Sequence, residues 1–77
     1  MEDKLFLQAV IVHKPVEFKD AYFMAQNIIN NVRKTFFRET DTSYRFRNIP
    51  KTDFIPGHYV SKKINDKVTL IFGKLKV

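Results

Sequence analysis

The sequence lacks cysteine and tryptophan and has only two glycines and three prolines among its 77 residues. Without cysteine the chain cannot form disulfides or a zinc ribbon, and thiol chemistry is excluded. Two isolated glycines, Gly57 and Gly73, cannot make a glycine-rich loop of the kind that cradles phosphates. The eight phenylalanines and three tyrosines supply the bulk that a small core needs. We therefore expect residues 1–77 to fold as a single α+β domain without staples.

Long hydrophobic runs are also missing from the chain. The longest one, residues 5–12, is interrupted by Gln8 and is too short to cross a bilayer. The acidic residues Glu2 and Asp3 stand where a secretory signal would carry basic residues. These features predict a soluble cytoplasmic protein that does not bind membranes.

Residues with catalytic potential are few. The two histidines, His13 and His58, have no second ligand at the spacing of a metal site. Ser43 and Ser61 lie in strand-like segments without the glycine-rich elbow that exposes a nucleophile. We expect no catalytic residue, no metal and no cofactor, and therefore a protein that is not an enzyme.

The chain has an excess of positive charge, and this charge is unevenly distributed. Residues 1–42 hold six basic and six acidic side chains, whereas residues 43–77 hold eight basic and two acidic ones. The whole net charge of +6 therefore lies in the second half. Such a field attracts polyanions or acidic protein surfaces. A solvated strand surface, whose lysines discourage edge-to-edge pairing, explains the charge equally well.

The spacing of apolar residues predicts one helix over residues 18–37. Its apolar side chains recur at intervals of three and four and share one helix face. Those side chains are Phe18, Ala21, Tyr22, Ala25, Ile29, Val32 and Phe36.

A central strand is predicted over residues 4–12, because this segment is apolar on both sides of the pleat. The second side must be covered by a loop or by another chain, so a homodimer is among the expected assemblies. The two predicted rows are Leu5, Leu7, Ala9 and Ile11 on one side, and Phe6, Val10 and Val12 on the other.

The second half of the chain predicts three further strands. Residues 43–49 alternate between apolar and basic side chains, and residues 51–57 form a loop that ends in a Pro-Gly turn. Residues 58–64 and 67–77 are strands joined by a two-residue hairpin at positions 65–66. The order is β-α-β-β-β, which predicts an α+β fold with one sheet of three to four strands and a single helix packed on one face.

Two details of this half concern packing. Phe54 and Ile55 are expected to lie under the sheet and to help cover its second face. Gly73, within the last strand, is expected to mark a bulge or a close approach of another segment.

The sharpest functional signal is the sequence Tyr44-Arg45-Phe46-Arg47. The two arginines share one side of the strand, where they offer bidentate contacts to phosphate or carboxylate. We expect the two aromatic residues to be buried beneath the helix; if they faced outward instead, they could stack bases. Neighbouring strands extend the basic row through Lys51, Lys62 or Lys63, Lys67, Lys74 and Lys76. The predicted binding residues are Arg45, Arg47, Lys51, Lys62, Lys63, Lys74 and Lys76.

Three segments of the second half, R-F-R-N-I-P-K-T-D-F, Y-V-S-K-K-I-N and L-I-F-G-K-L-K, carry a resemblance. They resemble short basic uncharacterised proteins of phages and mobile elements of low-GC bacteria. The resemblance covers less than half of the chain. It implies a setting in which small proteins bind nucleic acid or inhibit host machinery, as anti-CRISPR-like proteins do.

Two classes of function follow from these observations. The first is a nucleic-acid-binding protein that contacts the phosphate backbone through a basic sheet face. The second is a protein-interaction module with an acidic partner, such as a stoichiometric inhibitor of a host nucleoprotein complex or an accessory subunit of a larger assembly. Salt dependence separates them, because phosphate contacts give a steep slope and an apolar interface does not.

Overall fold

The computed structural model describes residues 4–76 as one antiparallel sheet with one α-helix packed on one of its faces. The α+β class and the single covering helix are confirmed, but the sheet has five strands, in the order β2-β3-β1-β5-β4. Within the described residues no helix is long and apolar enough to cross a membrane. The elements are β1 (Phe6–His13), α1 (Phe18–Ile28), β2 (Arg38–Glu39), β3 (Ser43–Phe46), β4 (Phe54–Lys63) and β5 (Val68–Leu75), with short 3-10 turns at Lys34–Phe36 and Lys51–Asp53.

The helix is shorter than its apolar spacing predicts. α1 begins at Phe18 as expected but ends at Ile28, and Ile29 has an extended backbone with φ −110°. Asn30 and Asn31 follow, and asparagine is a poor helix former. The spacing was misleading because Ile29 and Val32 still reach the core from the non-helical segment. The second half of the predicted helix is therefore wrong.

The main core lies between α1 and the three inner strands. Val10 and Val12 of β1 stand opposite Phe46 and Tyr44 of β3, and all four are buried. The helix presents two small buried residues, at positions 21 and 25, so its backbone can approach the sheet closely. Tyr44 and Phe46 are thus core residues, as expected, and the alternative in which they stack bases is excluded.

A bulge in β1 changes which side chains share a face. The register shifts between Leu7 and Ala9, so Leu7 joins the core beneath α1, whereas Phe6 pairs with Gly73 on the other face. The predicted row that grouped Phe6 with Val10 and Val12 is therefore wrong. Those two valines are covered within the chain by α1, so they offer no surface to a second copy.

The sequence does not predict strand β2, whose two residues lie between the predicted helix of residues 18–37 and the predicted strand of residues 43–49. A hydroxyl group closes the β2–β3 hairpin: Thr40 Oγ1 accepts hydrogen bonds from the backbone N–H groups of Ser43 (3.0 Å) and Thr42 (3.3 Å). The backbone N–H of Thr40 also donates to the carbonyl of Ser43 at 2.8 Å. This hairpin places Arg38 directly opposite Arg45.

The β4–β5 connection differs from the predicted two-residue hairpin. β4 ends at Lys63 and β5 begins at Val68, and among residues 4–76 no residue other than glycine has a positive φ. A two-residue turn of the favoured types would require one. The side chain of Asn65 makes the turn instead, because its Oδ1 accepts the N–H groups of Lys67 (2.8 Å) and Val68 (2.9 Å).

Candidate anion-binding site

The sheet face opposite α1, called the open face below, carries a row of side chains that crosses all five strands. Strand register places Arg38, Arg45, Ile11, Thr69 and Lys63 in this row, in that order. Paired residues project from the same face, and adjacent strands lie about 4.8 Å apart. The two arginines therefore lie side by side at one edge of the open face, as the alternation in β3 predicts for Arg45.

Arg47 lies one pleat repeat beyond Arg45 and differs from the exposed residue that was expected. It is only 8% exposed. Continuing the β1–β3 register would place it opposite Ala9, whose small side chain leaves room for a long one. The Nη1 atom of Arg47 is inaccessible to water and has no hydrogen-bond partner within residues 4–76.

The electrostatics of Arg47 are unfavourable in the protein alone. Burial lowers the pKa of its guanidinium from the usual value, and the nearby charges of Arg45 and Arg38 lower it further. Lys14 shows the opposite situation, because its Nζ lies 2.9 Å from Glu39 Oε2 and this hydrogen bond raises the pKa of the lysine. A bound anion would supply Arg47 with a negatively charged hydrogen-bond acceptor, as Glu39 does for Lys14.

A cavity of about 570 Å³ opens beside Arg47 on the open face. Four cations line it, and no carboxylate of residues 4–76 does. Its apolar lining includes Phe54, Ile55, Ile71 and the ring of Tyr59. The four cations are Arg45, Arg47, Lys51 and Lys76.

The cavity results from the way the chain crosses the sheet. β3 and β4 are separated by two strands, so the connection between them must pass the end of β1 and β5. The pairing of β4 with β5 is then irregular: the four residues between Phe54 and Tyr59 face only one residue of β5. They bulge outward through Gly57, whose φ of +79° suits glycine, and form one wall of the cavity. Phe54 is buried at its base, as expected.

Gly73 is the point at which the two bulged strands meet. A Cβ atom at this position would lie 2.7 Å from Gln8 Oε1, 3.1 Å from a ring carbon of Phe54 and 3.3 Å from the carbonyl oxygen of His58. The predicted close approach at Gly73 is therefore confirmed. The glycine allows Phe54 and the β4 bulge to pack against β5.

We expect Gly73→Ala to destabilise the protein by about 1–3 kcal/mol, because the added methyl overpacks this contact. Chemical denaturation measures the change. The flexible Gln8 side chain can move, but the backbone at His58 cannot, so adding Gln8→Ala should recover only part of the loss. A Gly73→Ala protein that unfolds at the wild-type denaturant concentration would show that the bulge adapts freely.

The seven predicted binding residues separate into two groups. Arg45, Arg47, Lys51 and Lys76 line the cavity. Lys63 also lies on the open face. Its Nζ atom is 3.8 Å from Oδ1 of Asp66, with which it forms an exposed ion pair. Lys62 pairs with Leu70 and therefore projects from the helix side of the sheet. By strand alternation Lys74, next to Gly73, also projects from that side. Of the alternatives Lys62 and Lys63, it is Lys63 that lies on the open face, and the predicted row is wrong for Lys74.

Two residues of the open face were missed from the sequence, Arg38 and Tyr59. Arg38 was missed because it follows directly on the predicted helix of residues 18–37 and strand β2 was not predicted. Tyr59 lines the cavity and is 63% exposed. The alternation of Tyr59, Ser61 and Lys63 against Val60 and Lys62 was a usable signal, since it places one aromatic ring in an otherwise polar row.

Neither a metal centre nor a relative helps to define this site. Within residues 4–76, no three His, Asp or Glu side chains are grouped as a metal ion would require. No protein-family model matches the chain, and no similar curated protein or solved structure was found. Its chemistry is therefore inferred from the geometry above.

Proposed function

We propose that the protein binds nucleic acid in the cytoplasm and contacts the phosphate backbone through the open face. The observation that supports this most directly is the convergence of four cations on one cavity, to which residues 4–76 contribute no carboxylate. Arginine pairs bidentately with phosphate oxygens, and exposed lysines add charge around them. The setting in phages and mobile elements that the sequence resemblance implies is consistent with this function.

The positions of the cations favour contacts to the backbone over sequence reading. They lie on a strand, directly after a strand or on a 3-10 turn, and α1 packs on the opposite face of the sheet. The open face carries Arg38 and Arg45 at one edge and Lys63 at the other. Cations spaced across the sheet in this way can contact successive phosphates of a nucleic-acid backbone. Binding of this kind is strongly salt-dependent and only weakly selective for sequence.

A protein-interaction module is the second candidate, and one observation favours it. On the helix side, Val60 of β4 is 52% exposed and Phe23 of α1 is 66% exposed. Where exposed apolar side chains such as these form a contiguous patch, the patch marks an interaction surface. The partner would be a second copy of the chain or another protein, including a host nucleoprotein complex that the protein inhibits.

The test compares two double variants with the same loss of charge. Arg45→Ala with Lys51→Ala removes cations from the cavity, whereas Lys19→Ala with Lys62→Ala removes exposed cations from α1 and from the helix side of β4. Fluorescence anisotropy with labelled DNA and RNA over a salt series measures both. We expect the first pair to weaken binding and to lower the log–log salt slope by about one for each phosphate that the variant no longer neutralises.

The control pair should retain most of the affinity. An equal loss in both pairs would mean that net charge alone is responsible and would contradict a defined face. Wild-type protein that binds neither DNA nor RNA at low salt would exclude the function and favour the protein-interaction module.

A further inference from the structure

Arg47 has three features that are expected of an anion-binding residue. It is more than nine-tenths buried, it lines the cavity, and its enclosed Nη1 atom has no partner within residues 4–76. A buried cation without a counter-ion is rare, because desolvation is costly unless hydrogen bonds and opposite charge compensate it. Arg45, which lines the same cavity, cannot compensate it because it carries the same charge.

The cavity is larger and more apolar than a phosphate group requires. About 570 Å³ lies within the range of small-molecule sites, and most of its exposed lining is apolar. Ile55 and Ile71 provide branched apolar surface next to the two arginines, and the buried ring of Phe54 lies at the base of the cavity. Its ligand is therefore expected to carry both a charged group and a flat apolar group.

Tyr59 provides the aromatic surface that such a ligand would use. It lies on the edge strand β4, lines the cavity and is largely exposed, although tyrosine side chains of small proteins are usually at least half-buried. Proteins that bind single strands place bases on exposed aromatic rings of this kind beside a basic groove. Lys51 and Lys76 lie on the same cavity, where they can meet the phosphates on either side.

We propose that the cavity binds one nucleotide of a single-stranded nucleic acid, with the phosphate on Arg47 and the base against Tyr59. This rests on the proposed function and narrows it to single strands. A base in a duplex is stacked and paired, so it would have to leave the helix to enter the cavity. Duplexes should therefore bind only through the exposed cations, and more weakly.

The experiment uses four probes and three variants of the full chain. The probes are inorganic phosphate, a nucleoside monophosphate, a short single strand and a duplex of the same length. Thermal shift measures the small probes, and anisotropy measures the two nucleic acids. The variants are Arg47→Met, Tyr59→Leu and, as an exposed apolar control on the helix side, Val60→Ala.

We expect the single strand to bind more tightly than the duplex and the nucleoside monophosphate to raise the melting temperature more than phosphate does. Tyr59→Leu should weaken single-strand binding about tenfold, which is the usual effect of losing one stacked base, and should leave the phosphate response unchanged. Arg47→Met should abolish the responses to both phosphate and the monophosphate. Val60→Ala should behave as the wild type with every probe.

Three results would overturn the proposal and can be told apart from failure of the proposed function. Equal affinity for single strand and duplex, with no effect of Tyr59→Leu, removes the nucleotide site but leaves nucleic-acid binding intact. A monophosphate response without binding of either nucleic acid identifies a site for free nucleotides and contradicts both proposals. Wild-type protein that responds to none of the four probes excludes an anion site at Arg47.

Discussion

Phe46→Ala is expected to remove about 3–5 kcal/mol of stability, the range typical of a deleted core aromatic ring. A domain of this size has a free energy of unfolding of only about 4–12 kcal/mol, so this loss is a large fraction of its total stability. Phe46 is fully buried. The centroid of its ring lies 5.2 Å from the ring centroid of Phe37, 6.2 Å from that of Tyr22 and 6.4 Å from that of Phe18. Urea unfolding followed by circular dichroism measures the loss.

Phe23→Ala is the matched control for this prediction. Phe23 lies on α1 and is 66% exposed. The substitution removes the same side-chain atoms as Phe46→Ala does. Its removal should change stability by less than about 1 kcal/mol, partly because alanine is the better helix former. Similar losses in both variants would mean that Phe23 is covered, for example by a second copy of the chain on the helix side. Sedimentation over a range of concentrations would then reveal the oligomer.

The importance of Phe46 could be predicted from the sequence because strand periodicity is a local property. In the segment around β3, apolar and basic residues alternate without interruption, so the burial of Tyr44 and Phe46 and the opposite orientation of Arg45 follow directly. Strand alternation in the same way groups Val68 and Leu70 on one side of β5, and both residues pair with β1. In both segments, the side of the strand that is buried can be predicted without knowing which strands lie beside it.

Features that depend on distant neighbours were predicted less well. The bulge at Gln8 shifts the β1 pattern, and its cause is the register with β5 on the other half of the chain. The helix was extended too far because Ile29 and Val32 keep a helical spacing while lying in an extended segment that packs on the same core. Strand β2 has only two residues, too few for any periodicity.

The candidate site shows the same limit. Lys62 and Lys63 are adjacent in the sequence but project from opposite faces, because a strand alternates at every residue. The burial of Arg47 could not be predicted, since an arginine in an alternating strand normally reaches solvent. It depends on the position of Arg47 beside the cavity, whose lining also includes Phe54 from the crossing segment.

The enclosed Nη1 atom of Arg47, which has no hydrogen-bond partner within residues 4–76, should make the anion-free protein less stable than it could be. The pKa of Arg47 is lowered in the folded protein, so protonation is less favourable there than in the unfolded chain. The protonated arginine therefore costs stability at every pH below its folded pKa, and that cost disappears only as the pH rises through this value. Across the neutral range Arg47 stays charged, and the cost does not change with pH.

Arg47→Met is accordingly expected to stabilise the anion-free protein by about 1–3 kcal/mol, the usual penalty of an unsatisfied buried donor. Methionine keeps the apolar stem and removes the charge, and each kcal/mol corresponds to about 4–8 °C in melting temperature for a small domain. Differential scanning calorimetry in phosphate-free buffer measures the gain, which should be the same throughout the neutral range. Phosphate should then raise the melting temperature of the wild type but not that of the variant.

Arg45→Met provides the matched control, since Arg45 lines the same cavity and is only half-buried. Its melting temperature should stay close to that of the wild type, because a cation in contact with water costs little. If Arg47→Met instead melted below the wild type by several degrees, the guanidinium would be contributing to stability, and its place in the fold would be structural. A rise in melting temperature together with the absence of a phosphate response would identify Arg47 as a residue that lowers stability in exchange for anion binding.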